Sequence, residues 1–450
     1  MCRYLLPTIL AVLFTGCSIP TMRPKGFSGG KLNFTEYDQG ISTIDIQHSF
    51  SDPNVALTLR DAVRLTLLHN SELEATSYDI KIAEARHLQA GLWRNPMLEL
   101  ETENIGGSGS FSGFDSAETT IQFSQIIELG DKIEKRQRAV AYNSRLAEIE
   151  YNAKLLDVTS ELTKAFVTLL FIQEKQALSE ELVCISNEVV SSVEKLVQGG
   201  KADSIDLSRA RIGLAKAKIQ KLDITKAYDL TRVQLASYWN SYNPSFSTAA
   251  GRLDELSDLP DFENLRIQIK NNPDIIQSAI TVQKRKAEMI LADSERIGDL
   301  KIAGGVKHFN DNDDTAFVFG VSIPLTISDR NQGQRQAAAH QYQKAQKMQM
   351  VSELSVWNEL NRLYAELHTA YMTAIMLRDE VMPAAEQMFN AAQVSYQQGK
   401  LNYLELLDSQ RTYFASKNEY IDALATYHIA KTELERLIGQ SMRQINTSND

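Results

Sequence analysis

Two stretches of the chain repeat apolar residues at helical spacing over lengths that few globular helices reach. From about Asp131 to Gln198, Leu155, Leu162, Leu169 and Ile172 recur at intervals of seven and three, the spacing of one helix face. The ten prolines leave this stretch clear, since none falls between Pro96 and Pro244. At 1.5 Å per residue such a helix runs roughly 100 Å. A second stretch of similar reach extends from about Gln332 to Gln398, with a kink or break expected at Pro383. No single globular core houses helices of that length, which suit a coiled coil or a helical tube.

Between the helical stretches the period changes to two. Met97-Leu98-Glu99-Leu100-Glu101-Thr102-Glu103 alternates, and so does Thr119-Thr120-Ile121-Gln122-Phe123-Ser124, across a Gly/Ser-rich turn at 106–113. Leu300-Lys301-Ile302-Ala303 leads in the same way through Asp311-Asn312-Asp313-Asp314 into 316–323. The alternation predicts strands at about 97–105, 117–127, 299–308 and 315–324, of a length that spans an outer membrane. Four strands leave two open edges, which hydrocarbon does not tolerate, and barrels start at about eight strands. If the strands lie in a membrane, several chains therefore share one barrel. Leu98, Leu100, Phe317, Phe319, Val321 and Ile323 then face lipid, while Glu99, Glu101 and Glu103, partly offset by Lys301, line the lumen. A soluble ribbon with a solvated acidic face is the alternative.

A turn is written twice. Gln198-Gly199-Gly200-Lys201-Ala202-Asp203 and Gln397-Gln398-Gly399-Lys400-Leu401-Asn402 stand in one register 199 residues apart. In each, glycine suits a helix C-terminus, and Asp203 or Asn402 suits the N-cap of the next helix. Asp206 and Glu405 stand where a carboxylate completes a capping box. Asn70-Ser71-Glu72-Leu73 matches Asn272-Pro273-Asp274-Ile275 at an offset of 202, and Leu129-Gly130-Asp131-Lys132 matches Ile327-Ser328-Asp329-Arg330 at 198. The expectation is an internal two-fold repeat, 57–240 and 262–440, with a linker at 241–261 and a tail at 441–450. Above the second turn Asn390, Gln393 and Gln397 share a helix face, open to reading as a pore-facing gate or a solvated surface.

The first residues change the compartment. Residues 1–16 carry Arg3 and a short apolar run, a signal peptide rather than a span. Leu13-Phe14-Thr15-Gly16-Cys17 resembles a bacterial lipobox, which makes Cys17 the lipid-bearing first residue and 17–56 an extended tether. Cys184 is then the one free thiol, so no disulfide is expected. A formal net charge of -10 argues against a nucleic-acid partner. The seven histidines include no pair at i, i+3 or i+4, and no P-loop, His-Glu-x-x-His or Cys-x-x-Cys occurs. The sequence predicts no enzyme, no cofactor and no metal site.

The stretch from Val381-Met382-Pro383 through Tyr396-Gln397-Gln398-Gly399-Lys400 to Leu437-Ile438-Gly439 resembles the second half of the TolC-type outer-membrane efflux family. The segment from Asn95-Pro96-Met97 to Glu128-Leu129-Gly130-Asp131-Lys132 resembles its cobalt-zinc-cadmium resistance branch, with Asp131 where that branch more often has a second glycine. The resemblance implies a mainly α fold with a small membrane β part: a homotrimer closing one twelve-stranded barrel in the outer membrane, continued by a periplasmic tunnel of helical hairpins. It implies a passive gated conduit for metal cations or small toxic compounds. Its partners would be a periplasmic adaptor, an inner-membrane pump of the resistance-nodulation-division type and outer-membrane lipid. Carried onto the first tip, adaptor docking falls to Gly199, Gly200, Lys201, Asp203, Ile205 and Leu207. On the second it falls to Gly399, Lys400, Asn402, Tyr403, Leu404 and Leu406. A channel serving ATP-driven protein secretion and a non-conducting coiled-coil scaffold lipoprotein are the alternatives.

Overall fold

The computed structural model describes residues 56–439. The signal segment 1–16, the lipidation candidate Cys17, the tether up to residue 55 and the tail 441–450 lie outside the described residues. The first half runs β1 (Ala56–Thr58), α1 (Leu59–His69), α2 (Ser71–Ala90), β2 (Met97–Glu103), β3 (Glu118–Ile127), α3 (Lys132–Gln198) and α4 (Ser204–Ser237). The second runs β4 (Thr248–Ala250), α5 (Phe262–Gln268), α6 (Pro273–Ser294), β5 (Leu300–Phe309), β6 (Asp314–Ser322), α7 (Gln332–Met376), α8 (Met382–Gln397) and α9 (Tyr403–Ile438).

Helix α3 continues without a break for 67 residues, about 100 Å. Its counterpart is interrupted at the proline: α7 passes through a π-helical turn, Leu377–Val381, into α8, which has Pro383 in its first turn. The ring of an interior proline clashes with the carbonyl four residues back and leaves that carbonyl without its donor; a widened turn relieves both. No core spans such lengths. Three apolar clusters are strung along the helices instead. One gathers Leu57, Leu162, Phe166, Leu235 and Phe246, one Leu265, Leu360, Tyr427 and Leu434, and one, at the turns, Val193, Phe389, Tyr403 and Tyr413. Between clusters the α3–α9 seam is pinned by antiparallel ion pairs: Asp157–Arg436 (2.6 Å), Lys164–Glu433 (3.1 Å), Lys175–Asp422 (2.8 Å) and Glu181–Lys417 (2.7 Å).

The four predicted strands form one antiparallel sheet in the order β2-β3-β5-β6, not two separate hairpins, with β2 ending at Glu103, two residues short of the expected 97–105. Leu100 lies opposite Ile121, Ile121 opposite Val306 and Val306 opposite Phe317. The joint between β3 and β5 depends on Gly305, where a Cβ would collide with the Ile121 carbonyl oxygen. The alternation gave no sign of a second, two-stranded sheet: β1 pairs with β4 in parallel, Leu57 opposite Ala249. The stretch expected as a linker thus joins the body, and Phe246 and Leu253 from it are 0% and 3% exposed.

Two asparagines join helices end to end. Asn70 caps α2 by accepting from the amides of Glu72 and Leu73 (3.0 and 2.9 Å), while its Nδ2 donates to the Tyr238 carbonyl at the end of α4 (2.8 Å). Asn272 accepts from Asp274 and Ile275 (2.8 and 3.3 Å) and donates to the Leu437 carbonyl of α9 (2.8 Å). One side chain thereby satisfies orphan groups on two helix ends at once. Alanine supplies neither bond, so Asn272→Ala, at a position 1% exposed, is expected to cost about 1–3 kcal/mol. Aspartate keeps the cap but loses the donor and sets a carboxylate against a carbonyl, so Asn272→Asp should also lower the unfolding midpoint.

Asp131, the residue that departs from the cobalt-zinc-cadmium branch, has φ +56°, and Asn331 ahead of α7 has φ +57°. Glycine is the least strained residue in this region and Asp or Asn the next. Asp131→Gly should therefore leave thermal unfolding unchanged or raise its midpoint by a degree or two, whereas Asp131→Val should lower it by about 1–2 kcal/mol equivalent.

Candidate functional site

Strand parity sorts the sheet into two chemically distinct faces. One presents Leu98, Leu100, Phe123, Phe317, Phe319 and Val321, all well exposed, with Phe317 and Phe319 at 79% and 83%. The other presents the predicted carboxylates in a charge network. Glu99 accepts from Lys301 (2.8 Å), Gln122 (2.7 Å) and Ser124 (3.3 Å). Lys307 holds Glu103 (3.0 Å) and also Glu118. Glu101 has no ion-pair partner among the described residues. The stripe is thus less bare than the alternation of β2 suggested. Five carboxylates (Glu99, Glu101, Glu103, Glu118 and, at the start of β6, Asp314) against two lysines (301, 307) leave three acidic charges per chain, 5 − 2. Lys307 and Glu118 were not foreseen. Only the register brings them beside Glu103: Glu118 lies directly opposite it, and Lys307 stands in the adjacent row, opposite Thr120.

The two turns have the same backbone. Gly200 (φ +68°) and Gly399 (φ +71°) follow the helix ends. The amide of Lys201 bonds the Leu196 carbonyl (2.8 Å) and that of Lys400 bonds Ser395 (2.9 Å), the Schellman closure of a helix C-terminus. The following caps differ. Asn402 and Glu405 form a full capping box, with Glu405 N to Asn402 Oδ1 at 3.0 Å and Asn402 N to Glu405 Oε2 at 3.3 Å. Asp203 accepts from the Ile205 amide and the Ser204 hydroxyl (both 3.1 Å). Asp206, expected to complete the first box, instead pairs with Arg209 (3.2 Å); its side chain is one methylene shorter than that of Glu405.

Ten of the twelve predicted docking residues reach the surface at least in part. Gly199, Gly200, Lys201, Asp203, Gly399, Lys400 and Asn402 are exposed and Leu207 is half-buried. Ile205 and Leu404, 199 residues apart, are 56% and 54% exposed. Tyr403 and Leu406 are not available, at 3% and 2% exposed. With Gln410 and Tyr413 they repeat at i, i+3, i+7 and i+10, the inward stripe of α9 that holds the tip cluster together. The Tyr403 ring meets Tyr396 edge-on at 6.3 Å. Burial, reinforced by the nearby Asp206 carboxylate, pushes the ionisation of both phenols up. Asn390 and Gln397 are exposed and Gln393 half-buried, on one open helix face. Among the described residues no group of three His, Cys, Asp or Glu side chains gathers as a metal site, and no helix is long and apolar enough to cross a membrane.

The chain matches the family described as "Outer membrane efflux protein" twice, over residues 62–241 and 265–440. It is 30% identical over 384 residues to the cobalt-zinc-cadmium resistance protein CzcC of Cupriavidus metallidurans, covering 85% of this chain and 90% of that protein. It is 22% identical to the cation efflux system protein CusC of Escherichia coli O6:H1, covering 98% and 99%. Among solved structures, a membrane protein from Pseudomonas aeruginosa superposes with a TM-score of 0.74 at 16% identity, covering 89% and 97%. A structure of CusC gives 0.66 at 16% identity, covering 88% and 96%. These similarities place the long helices and the small sheet in one known fold.

The unlike caps predict unlike acid responses at the two tips. The Ile205 amide, then the Ser204 hydroxyl, hold the Asp203 carboxyl below its ordinary value. Its capping is therefore complete above the unfolded value of about 3.9 and lost as pH falls through the lower folded value. In a Glu405→Gln background, which removes the titrating group of the second cap, acidification below about pH 4 should speed amide exchange over residues 204–210, relative to the intrinsic rate, more than over 403–409. Adding Asp203→Asn should remove the difference.

Proposed function

The chain belongs to the outer membrane efflux protein family, and from that premise we propose that it is the outer-membrane conduit of a tripartite system that exports metal cations. The family fixes the coarser statement: an outer-membrane efflux channel, not an enzyme. The finer reading rests above all on the sheet. Its apolar face is exposed and its edges β2 and β6 are unpaired, a condition that hydrocarbon penalises at every free amide and carbonyl. Three copies supply twelve strands, 3 × 4, and close the edges. A scaffold reading leaves Phe317, Phe319 and Val321 to water without a role, and no observation favours protein secretion.

The same assembly turns the helices into a wall. The paired asparagines, the matched tips and the two family matches support two copies of one unit per chain, so that three chains present six similar hairpin tips. Exposed Ile205 and Leu404 suit an apolar contact with the periplasmic adaptor, and Lys201 and Lys400 flank them with positive charge. Transport energy then comes from an inner-membrane pump of the resistance-nodulation-division type, and the conduit contributes a passive, gated path. The open face with Asn390, Gln393 and Gln397 is the candidate gate. Cys17, with its lipid, adds an anchor. The named roles of CzcC and CusC, cobalt-zinc-cadmium resistance and cation efflux, favour cations as cargo. Three net carboxylates per chain on the lumen face form the kind of charged ring that favours cations in a pore.

Two measurements check this. Detergent-extracted protein should have the mass of a trimer and give discrete conductance steps in planar bilayers; a monomer that does not enter the bilayer would overturn the channel reading. Glu101→Gln, which removes one unpaired carboxylate of this face, should move the reversal potential in a salt gradient away from cation preference, and an unchanged potential rejects the charged-ring assignment. At the tips, Ile205→Asp with Leu404→Asp should weaken adaptor binding at least about tenfold, equivalent to about 1.4 kcal/mol, without changing unit conductance.

A further inference from the structure

The apolar face of the sheet is too short for the membrane it would cross. At one end a polar row, Thr102–Thr119–His308–Thr315, closes it. Four rows follow toward the helices: Leu100–Ile121–Val306–Phe317, Leu98–Phe123–Gly304–Phe319, Gln125–Ile302–Val321 and Ile127–Leu300. With about 3.3 Å per residue and a strand tilt of about 40°, rows lie about 5 Å apart, so these cover about 15–20 Å of an apolar band that is typically about 25 Å tall.

Outside the strands, the missing height is present on the helical side. After β6 the alternation continues without ladder bonds: Ile323, Leu325 and Ile327 are 53%, 81% and 72% exposed. Pro324, between them, is turned onto Gly298, where a Cβ would lie 2.7 Å from its Cγ. Before β2, Leu92 and Trp93 are 50% and 64% exposed. Their segment is held by Arg94, which pairs with Glu128 (3.3 Å); that carboxylate, with a side chain only 3% exposed, also binds Arg136 (2.8 Å). Arg330 follows the second segment and has no carboxylate partner among the described residues.

We infer that Leu92-Trp93 and Leu325–Ile327 form a collar that takes phospholipid of the periplasmic leaflet. Acyl chains lie against Leu325 and Ile327, the Trp93 indole sits at ester depth, and Arg330 meets the headgroup phosphate. Indole and guanidinium are the groups that settle at a membrane interface, and the collar continues an apolar face already present on the sheet. The inference rests on the reading of that sheet as membrane-inserted.

Spin labels in reconstituted full-length protein test it, placed singly by Leu325→Cys, Ile327→Cys, Phe319→Cys and Phe114→Cys in a Cys184→Ser background. Labels at 325 and 327 should collide with oxygen several-fold more than with an aqueous nickel chelate, as at 319, but from a shallower depth. Nickel access at 325 and 327 with oxygen access at 319 overturns the collar alone. Shielding of 325 and 327 from both reagents assigns these residues to a neighbouring chain and also overturns it, as does lipid contact at 114 in their place. Nickel access at 319 brings down the inserted-sheet reading and the collar with it. As a label-free check, lipid brominated near the headgroup should quench part of the tryptophan emission of the unmodified protein, and that part should be lost in Trp93→Phe.

Discussion

An amide or carbonyl removed from water without a partner costs free energy that no other contact nearby returns, and this chain is arranged around the places where such groups are left over. Helix ends and sheet edges are those places. At the tips a left-handed glycine and a polar cap close both helices of each hairpin within a few residues. Midway along the body, Asn70 and Asn272 close two ends with one side chain each, so that α4 abuts α2 and α9 abuts α6 with their backbone groups paired across the joint. The outer edges of β2 and β6 are the exception: among the described residues they have no strand partner.

Length is the second consequence. A helix of 67 residues cannot be stabilised by one central core, and apolar burial is divided among three clusters separated along the axis. Between them, charge holds the seam. The Lys417 ammonium shows the balance: burial opposes its charge, yet the Glu181 carboxylate, 2.7 Å away through both oxygens, and the Tyr413 hydroxyl together more than offset this and raise its proton affinity. Such half-buried pairs add register more than stability. They fix how far α9 is shifted against α3, and with it the alignment of the two tips.

The sheet and the tips use the same economy of chemistry. Alternation places apolar side chains on one face and carboxylates on the other, and the lysines of β5 decide how much of that acidity remains free. At the tips one stripe of α9 goes to the interior and the neighbouring positions stay available, which is why Tyr403 packs while Leu404 is presented.

Local rules were enough for much of this. Proline spacing and apolar period fixed the long helices and the break before Pro383, alternation located the four strands and their two faces, and turn chemistry located both tips, because each depends on neighbours within a few residues. Pairings between distant segments were not legible. The β3–β5 joint, the β1–β4 ribbon that draws residues 241–261 into the body, the Lys307 bridge to Glu103 and Glu118, and the second bond of each splicing asparagine all join residues far apart in sequence. Only the folded chain brings them within hydrogen-bonding distance. Tyr403 and Leu406 fell between the two: their inward stripe was written in the sequence, but a cap and a docking surface claim the same positions, and the packing of α9 against α3 and α8 decided between them.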